Sequence, residues 1–228
     1  MGTKEKEADI EVEVPLFPAK TKIPFYRSDD FDDGQNALGP HWQWNHNPAC
    51  ENWSLHERIG WIRLYNRIPA PDLESARNTL TQRLPYPWCA CEAKMDVSGL
   101  KTGDLAGIAA FQANYGYMGA RAKADGTCSV VFGISDGKRN VTEREIGLVQ
   151  DILYLRIVFD FRNGEEQARD LAFFAYSLDG INWEEMNVAL RMKYTLDHFS
   201  GYRIALFSYN TKASEGYADF DYLKMREE

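Results

Sequence analysis

The run Tyr117-Met118-Gly119-Ala120-Arg121-Ala122-Lys123-Ala124-Asp125-Gly126-Thr127-Cys128-Ser129-Val130-Val131-Phe132-Gly133-Ile134 places an Asp-Gly pair between two short stretches rich in apolar residues. Glycine after aspartate supplies the positive φ that a tight hairpin needs, so the spacing predicts two antiparallel strands, Tyr117 to Lys123 and Cys128 to Ile134, joined at Gly126.

The same grammar recurs outward from that hairpin. Strands are expected at Trp61 to Tyr65, Thr79 to Arg83, Cys89 to Val97, Ala106 to Gln112, Leu153 to Phe161, Leu171 to Ser177, Tyr202 to Ser208 and Tyr217 to Met225. Asp136-Gly137, Asn163-Gly164 and Asp179-Gly180 offer further tight turns. Helical signals are weak: Pro71 to Arg77 and Val188 to His198 could each form a short turn of helix, but neither sustains an amphipathic period. The pattern gives an all-β sandwich of two antiparallel sheets over residues 28–228. Residues 1–27, with alternating Ile10, Val12 and Val14 followed by Pro15, Pro18 and Pro24, read as an extended arm or linker.

A length of 228 residues suits one such domain. The formal charge of -8 and the absence of a dense basic patch argue against a nucleic-acid partner. The longest apolar run, Ile152 to Phe159, is broken by Arg156 and falls far short of the ~20 residues that a membrane helix needs, so no membrane is expected either. Met1-Gly2-Thr3-Lys4-Glu5-Lys6 has no hydrophobic signal core, which leaves native export open; attachment to a secreted enzyme would place the domain outside the cell or in a periplasm. Cys50, Cys89, Cys91 and Cys128 lack zinc-site spacing and are expected as buried free thiols, with one disulfide as the alternative.

Three clusters invite a functional reading. Trp42-Gln43-Trp44-Asn45-His46-Asn47-Pro48, followed by Trp53-Ser54-Leu55, mixes flat rings with amide and imidazole groups. A pyranose asks for that mixture, having a C–H face that packs on rings and a rim of hydroxyls. Phe111-Gln112-Ala113-Asn114-Tyr115-Gly116-Tyr117 carries a tight aromatic loop in which Tyr115 is the expected exposed ring. Asn78, Leu80 and Gln82 share one strand face, and Arg77, Thr79, Thr81 and Arg83 share the other. Each cluster has a structural alternative: tryptophans wedging the core edge, turn residues, and an ordinary polar strand.

The order of Ser28-Asp29-Asp30-Phe31, the Trp42 to Pro48 run, Trp53-Ser54-Leu55, Ala76-Arg77-Asn78-Thr79-Leu80-Thr81-Gln82-Arg83 and Ala106-Gly107-Ile108-Ala109-Ala110-Phe111-Gln112 resembles the C-terminal concanavalin A-like module of family 43 glycoside hydrolases. The resemblance runs from about Ser28 to Met225. It implies a jelly-roll sandwich that binds xylan or xylo-oligosaccharides, or one that packs on a catalytic propeller and helps close its active site. On that basis Trp42, Trp44 and Tyr115 are expected to stack on sugar or shape a cleft, with Trp53 beside them. Asn45, His46, Asn47, Gln82, Gln112 and Asn114 would hydrogen bond. The family also suggests a structural calcium near the first and last strands, with Asp30 and Asp221 as candidate ligands, beside Asp29 and Asp219. Cys50 and the Pro85-Tyr86-Pro87-Trp88-Cys89 stretch depart from the family pattern.

Three functions follow: a xylan-binding module, an accessory domain that buttresses a catalytic glycoside hydrolase domain, and a free-standing glycosidase. The last requires two carboxyl groups roughly 5 to 9.5 Å apart across a cleft. Glu92, Asp96, Asp104, Asp160, Glu184 and Glu185 are the available acids, and none lies in a recognisable catalytic motif. The sequence therefore favours a non-catalytic module.

Overall fold

The structure, a computed structural model, describes residues 25–32, 37–135, 140–162, 170–193, 195–196, 198 and 200–227, with backbone alone for 140–143. Most of the proposed arm and the Asp136-Gly137 and Asn163-Gly164 turns lie outside the described residues. The hairpin that anchors the sequence reading is β7 (Gly116–Ala122) and β8 (Cys128–Ser135), with Ala122 opposite Cys128 and Gly126 at φ 84°.

Around it stand β1 (Gln43–Trp44), β2 (Trp53–Ser54), β3 (Ile62–Tyr65), β4 (Leu80–Arg83), β5 (Trp88–Asp96) and β6 (Leu105–Phe111), then β9 (Asn140–Leu148), β10 (Ile152–Asp160), β11 (Leu171–Ser177), β12 (Glu184–Arg191), β13 (Arg203–Tyr209) and β14 (Tyr217–Glu227). They form two seven-stranded antiparallel sheets, in the orders β1-β4-β13-β6-β7-β8-β9 and β12-β11-β10-β5-β14-β3-β2. This is the expected concanavalin A-like sandwich. All ten expected strands are present within two residues of their expected ends. The candidate helix at Val188 to His198 is overturned: its first residues belong to strand β12 and continue pairing to Arg191 opposite Leu171. Pro71 to Arg77 form turns, and the described residues contain no α-helix.

Alternation builds the core. Cys89, Cys91, Ala93 and Met95 of β5 and Leu153, Leu155, Ile157 and Phe159 of β10 are fully buried. They face Ile108, Ala110, Met118, Ala120, Ile204 and Leu206 of the other sheet in one cluster. Each Leu, Ile, Met or Phe among them contributes about 1.5–3 kcal/mol on removal from water.

The middle of the first sheet is buried on both faces. Its outer residues Ala109, Phe111, Tyr117, Ala205 and Phe207 join Ala70, Leu73 and Ala76 of the segment before β4 in a second cluster. That cover explains why β6 carries no polar face. β6 and β7 also approach closely: Gly107 lies opposite Gly119, and a Cβ on Gly119 would fall 1.9 Å from the Ala106 carbonyl oxygen.

The outer face of the second sheet is divided. Toward β3, Arg63 donates to Asp219 from Nε (2.7 Å) and Nη2 (2.9 Å), and Arg58 donates to Asp96 at 2.6 Å and Asp219 at 3.2 Å. The guanidinium of Arg63 covers Tyr217 and that of Arg58 covers Trp61. Toward β12 the face stays open as a groove.

Candidate functional site

β1 lies at the edge of the first sheet, where Gln43 and Trp44 pair with Thr81 and Leu80 of β4. The chain then leaves the sheet as a loop whose polar groups converge on the turn at residues 72–78. Asn45 Nδ2 donates to the Glu74 carbonyl at 3.0 Å, and the His46 ring donates to the same oxygen from Nε2 at 2.8 Å. Asn78 and Ala49 exchange two hydrogen bonds, side chain to backbone (3.1 and 3.2 Å). The His198 ring donates to the Glu74 carboxylate at 2.9 Å. His46, Asn47, Ser75 and Arg77 line an open hollow of about 410 Å³. The structure thus brings together the expected His46 and Asn47 with Ser75 and Arg77.

The rings behave otherwise. Trp42 is in the core, stacked on Phe31 at 5.7 Å between centroids, and its indole N–H bonds Asp29 at 2.7 Å. The expected sugar-stacking role of Trp42 is corrected: the ring wedges the core edge. Trp44 and Trp53 lie against each other at 5.3 Å and pack on the core, both half-buried. Tyr115, expected as the exposed ring, is 2% exposed between Phe111 and Tyr117. Burial raises its phenol pKa, the hydrogen bonds with Ser135 and Leu73 notwithstanding. The reason is topological: Tyr115 ends the turn under the second cluster, on the face covered by residues 70–76.

The amides of the other two clusters are internal as well. Gln82 is fully buried and accepts from the backbone N–H of Arg27 at 2.9 Å. Gln112 donates to the carbonyls of Thr195 and Ser200 and accepts from the Thr195 hydroxyl at 2.8 Å, so it ties down the segment after β12. Both are corrected from ligand contacts to structural hydrogen bonds. Asn114 donates to the Arg191 carbonyl at 3.3 Å at the same place.

A calcium ion takes roughly six to eight hard oxygen ligands. Asp29 already accepts from Phe31 N–H, His41 and Trp42. Asp219 is held by two arginines, Asp221 is ion-paired with Lys94, and Asp30 is exposed. Among the described residues no group of three or more acidic, histidine or cysteine side chains gathers. Asp30 and Asp221 therefore do not fit as a calcium-binding pair.

Sequence reasoning missed Glu74, whose carbonyl and carboxylate anchor two loops, and His198. No periodicity marks either residue, because their partners come from segments 28 and 124 residues away.

Comparison with known proteins then places the chain. A family model described as the beta xylosidase C-terminal concanavalin A-like domain matches residues 28–226. A beta-xylosidase of Formosa agariphila is 30% identical over 217 residues, which are 86% of this chain and 34% of that protein. The chain thus spans about a third of the length of that relative. A solved structure described as a bifunctional GH43-CE protein of Bacteroides eggerthii superposes with a TM-score of 0.82 at 42% identity, covering 88% of this chain and 26% of that one. A GH43 glycoside hydrolase engineered for endo-xylanase and exo-arabinofuranosidase activity superposes at 0.79 with 26% identity, covering 92% and 42%. The sandwich, its strand order and the match over 28–226 agree: the chain belongs to the C-terminal concanavalin A-like domain family of the family 43 β-xylosidases.

Proposed function

We propose that this chain is a non-catalytic accessory domain of a family 43 glycoside hydrolase acting on xylan or xylo-oligosaccharides, and that it presents the polar rim of His46, Asn47, Ser75 and Arg77 to the catalytic domain beside its substrate. The observation that carries this reading is the inversion of the Trp42 to Pro48 run. Its rings pack toward the core, while its amide and imidazole groups, joined by the guanidinium of Arg77, remain outside on a base fixed by Glu74. A rim without a flat exposed ring is poorly suited to hold a sugar alone. It suits hydrogen bonding to a polar surface or to a hydroxyl-rich substrate that a second domain already grips.

The carboxylates support a non-catalytic role. A glycosidase acid keeps a raised pKa. Here the hydrogen bonds from Ser98 and Arg58 outweigh the burial of Asp96 and hold its carboxyl below the ordinary range, and the Arg162 side chain does the same for Asp160. Asp104 accepts from Asn210, Ser214 and the Lys101 N–H, and Glu92 is paired with Arg156. The Formosa agariphila relative is a beta-xylosidase of which this chain spans about a third, and the two solved structures are GH43 proteins; these are the source of the xylan and catalytic-domain assignments.

The test is complementation in trans. A family 43 β-xylosidase catalytic domain stripped of its own C-terminal module is assayed on xylobiose with and without this chain. Association in sedimentation velocity and a rise in activity, both lost with Arg77→Ala, are expected. Neither association nor activation at high micromolar concentration would overturn the reading.

A further inference from the structure

Between β1 and β2 the chain crosses from the edge of one sheet to the edge of the other. Residues 45–52 of that crossing lie in no strand, so their polar groups must find partners elsewhere. Two anchors are already described: Asn45 and His46 on the Glu74 carbonyl, and Ala49 on the Asn78 side chain. A third is due at Asn52, which ends a turn of 3-10 helix (Cys50–Asn52) and is 3% exposed. Its backbone N–H donates to the Ala49 carbonyl at 2.9 Å, but its side-chain Oδ1 is enclosed and receives no donor.

Ser208 has the matching deficit. It lies on β13, between β4 and β6, is 5% exposed, and its hydroxyl is also enclosed with no partner. Asn52 and Ser208 line one small cavity, with Tyr65, Arg77 and Asn78 on the same wall. Its volume is about 10 Å³, at the lower bound of the roughly 10–15 Å³ that one water needs. Buried polar side chains in folded proteins seldom go unpaired, and an ordered water is a common partner where no protein group reaches them.

We propose that this cavity is a binding site for a single internal water, which donates to Asn52 Oδ1, bonds the Ser208 hydroxyl, and so ties the crossing loop to β13. The wall selects water over an ion. Among the described residues no carboxylate lines the cavity, while Arg77 does, so a cation would meet a like charge and no anionic ligand. An anion would sit against the lone pairs of Asn52 Oδ1. Water both donates and accepts, which suits an amide oxygen on one side and a rotatable hydroxyl on the other.

The water would complete a series of anchors at residues 45–46, 49 and 52, and the loop they hold carries His46 and Asn47. Arg77 borders both this cavity and the outer hollow of His46, Asn47 and Ser75. The site stands whatever the rim binds; only its bearing on the rim rests on the proposed function.

A high-resolution crystal structure of the whole chain tests the proposal, together with a double-mutant cycle of Asn52→Leu and Ser208→Ala read by urea unfolding. One spherical peak of density is expected within roughly 2.7–3.2 Å of both Asn52 Oδ1 and Ser208 Oγ. Each single substitution strips the water of a partner, so the second should cost much less in the background of the first. Hydrogen exchange at the Asn52 amide should quicken at least about tenfold in Ser208→Ala, although Ser208 makes no bond to that amide. If Asn52→Leu fails to fold, the density and the Ser208→Ala exchange rate still decide. An empty cavity, a direct Asn52–Ser208 hydrogen bond, unchanged exchange in Ser208→Ala, or losses that simply add would overturn it. None of these readouts involves a catalytic domain, so they hold or fail apart from the complementation assay.

Discussion

The carboxylate of Asp29 accepts the indole N–H of Trp42 at 2.7 Å, so a residue with a sugar-binding look is bonded into the core by a residue with a metal-binding look. The same carboxylate takes the His41 ring N–H and the Phe31 backbone N–H, while Asp29 bridges to Leu223 through two backbone bonds. Asp29→Ala would leave those donors inside without a partner. The expected cost is about 2–3 kcal/mol, read as a lower urea midpoint at unchanged slope.

Tyr115→Ala opens a hole in the second cluster beneath residues 70–76 and should destabilise the fold by about 3–5 kcal/mol, visible in thermal unfolding. Tyr115→Phe, which keeps the ring, should be far milder.

Acid should weaken the Arg58, Asp96 and Asp219 network. The folded-state carboxyl of Asp96 titrates below the ordinary value of about 3.9, so the unfolded chain binds its proton first and stability rises with pH in that window. The contribution is complete above the unfolded value and fades as pH falls through the folded one. Asp96→Asn should therefore lower stability at pH 6 and flatten its decline between pH 5 and 3, measured by denaturant titration across that range.

Thiol chemistry should separate the cysteines. Burial raises the Cys91 thiol well above its ordinary pKa, and Cys89 beside it on β5 is equally enclosed, whereas Cys50 is exposed. Native-state alkylation followed by mass spectrometry should label Cys50 first and leave Cys89 and Cys91 unmodified until the protein is denatured.

Gly119→Ala should be poorly tolerated, because the new methyl group meets backbone rather than a movable side chain. A loss of about 1–3 kcal/mol in chemical denaturation is expected.

The strands were legible because alternation and Asp-Gly turns are local. β9 escaped because Thr142-Glu143-Arg144-Glu145 puts charge on an edge strand, and β12 because its bulge breaks the period of two. The candidate site was legible in composition but not in direction. Nothing in Trp42-Gln43-Trp44 says that Asp29, 13 residues earlier, will claim the first ring. Nor could Gln82 or Gln112 reveal that Arg27 and Thr195 would occupy them. The groove was illegible for the same reason. Trp88, Arg156, Phe173 and Trp183 come from four separate segments, and only strand register makes them neighbours.

β14 lies in the middle of its sheet, between β3 and β5, although it is the last of these strands in chain order. Until residues 217–227 emerge, β5 has only β10 beside it and β3 only β2, so the β2-β3 pair is not joined to the rest of its sheet. Such long-range pairing makes for slow, late closure. The domain is therefore expected to fold after its own synthesis is complete, and a nascent chain halted before Tyr217 should remain sensitive to protease throughout.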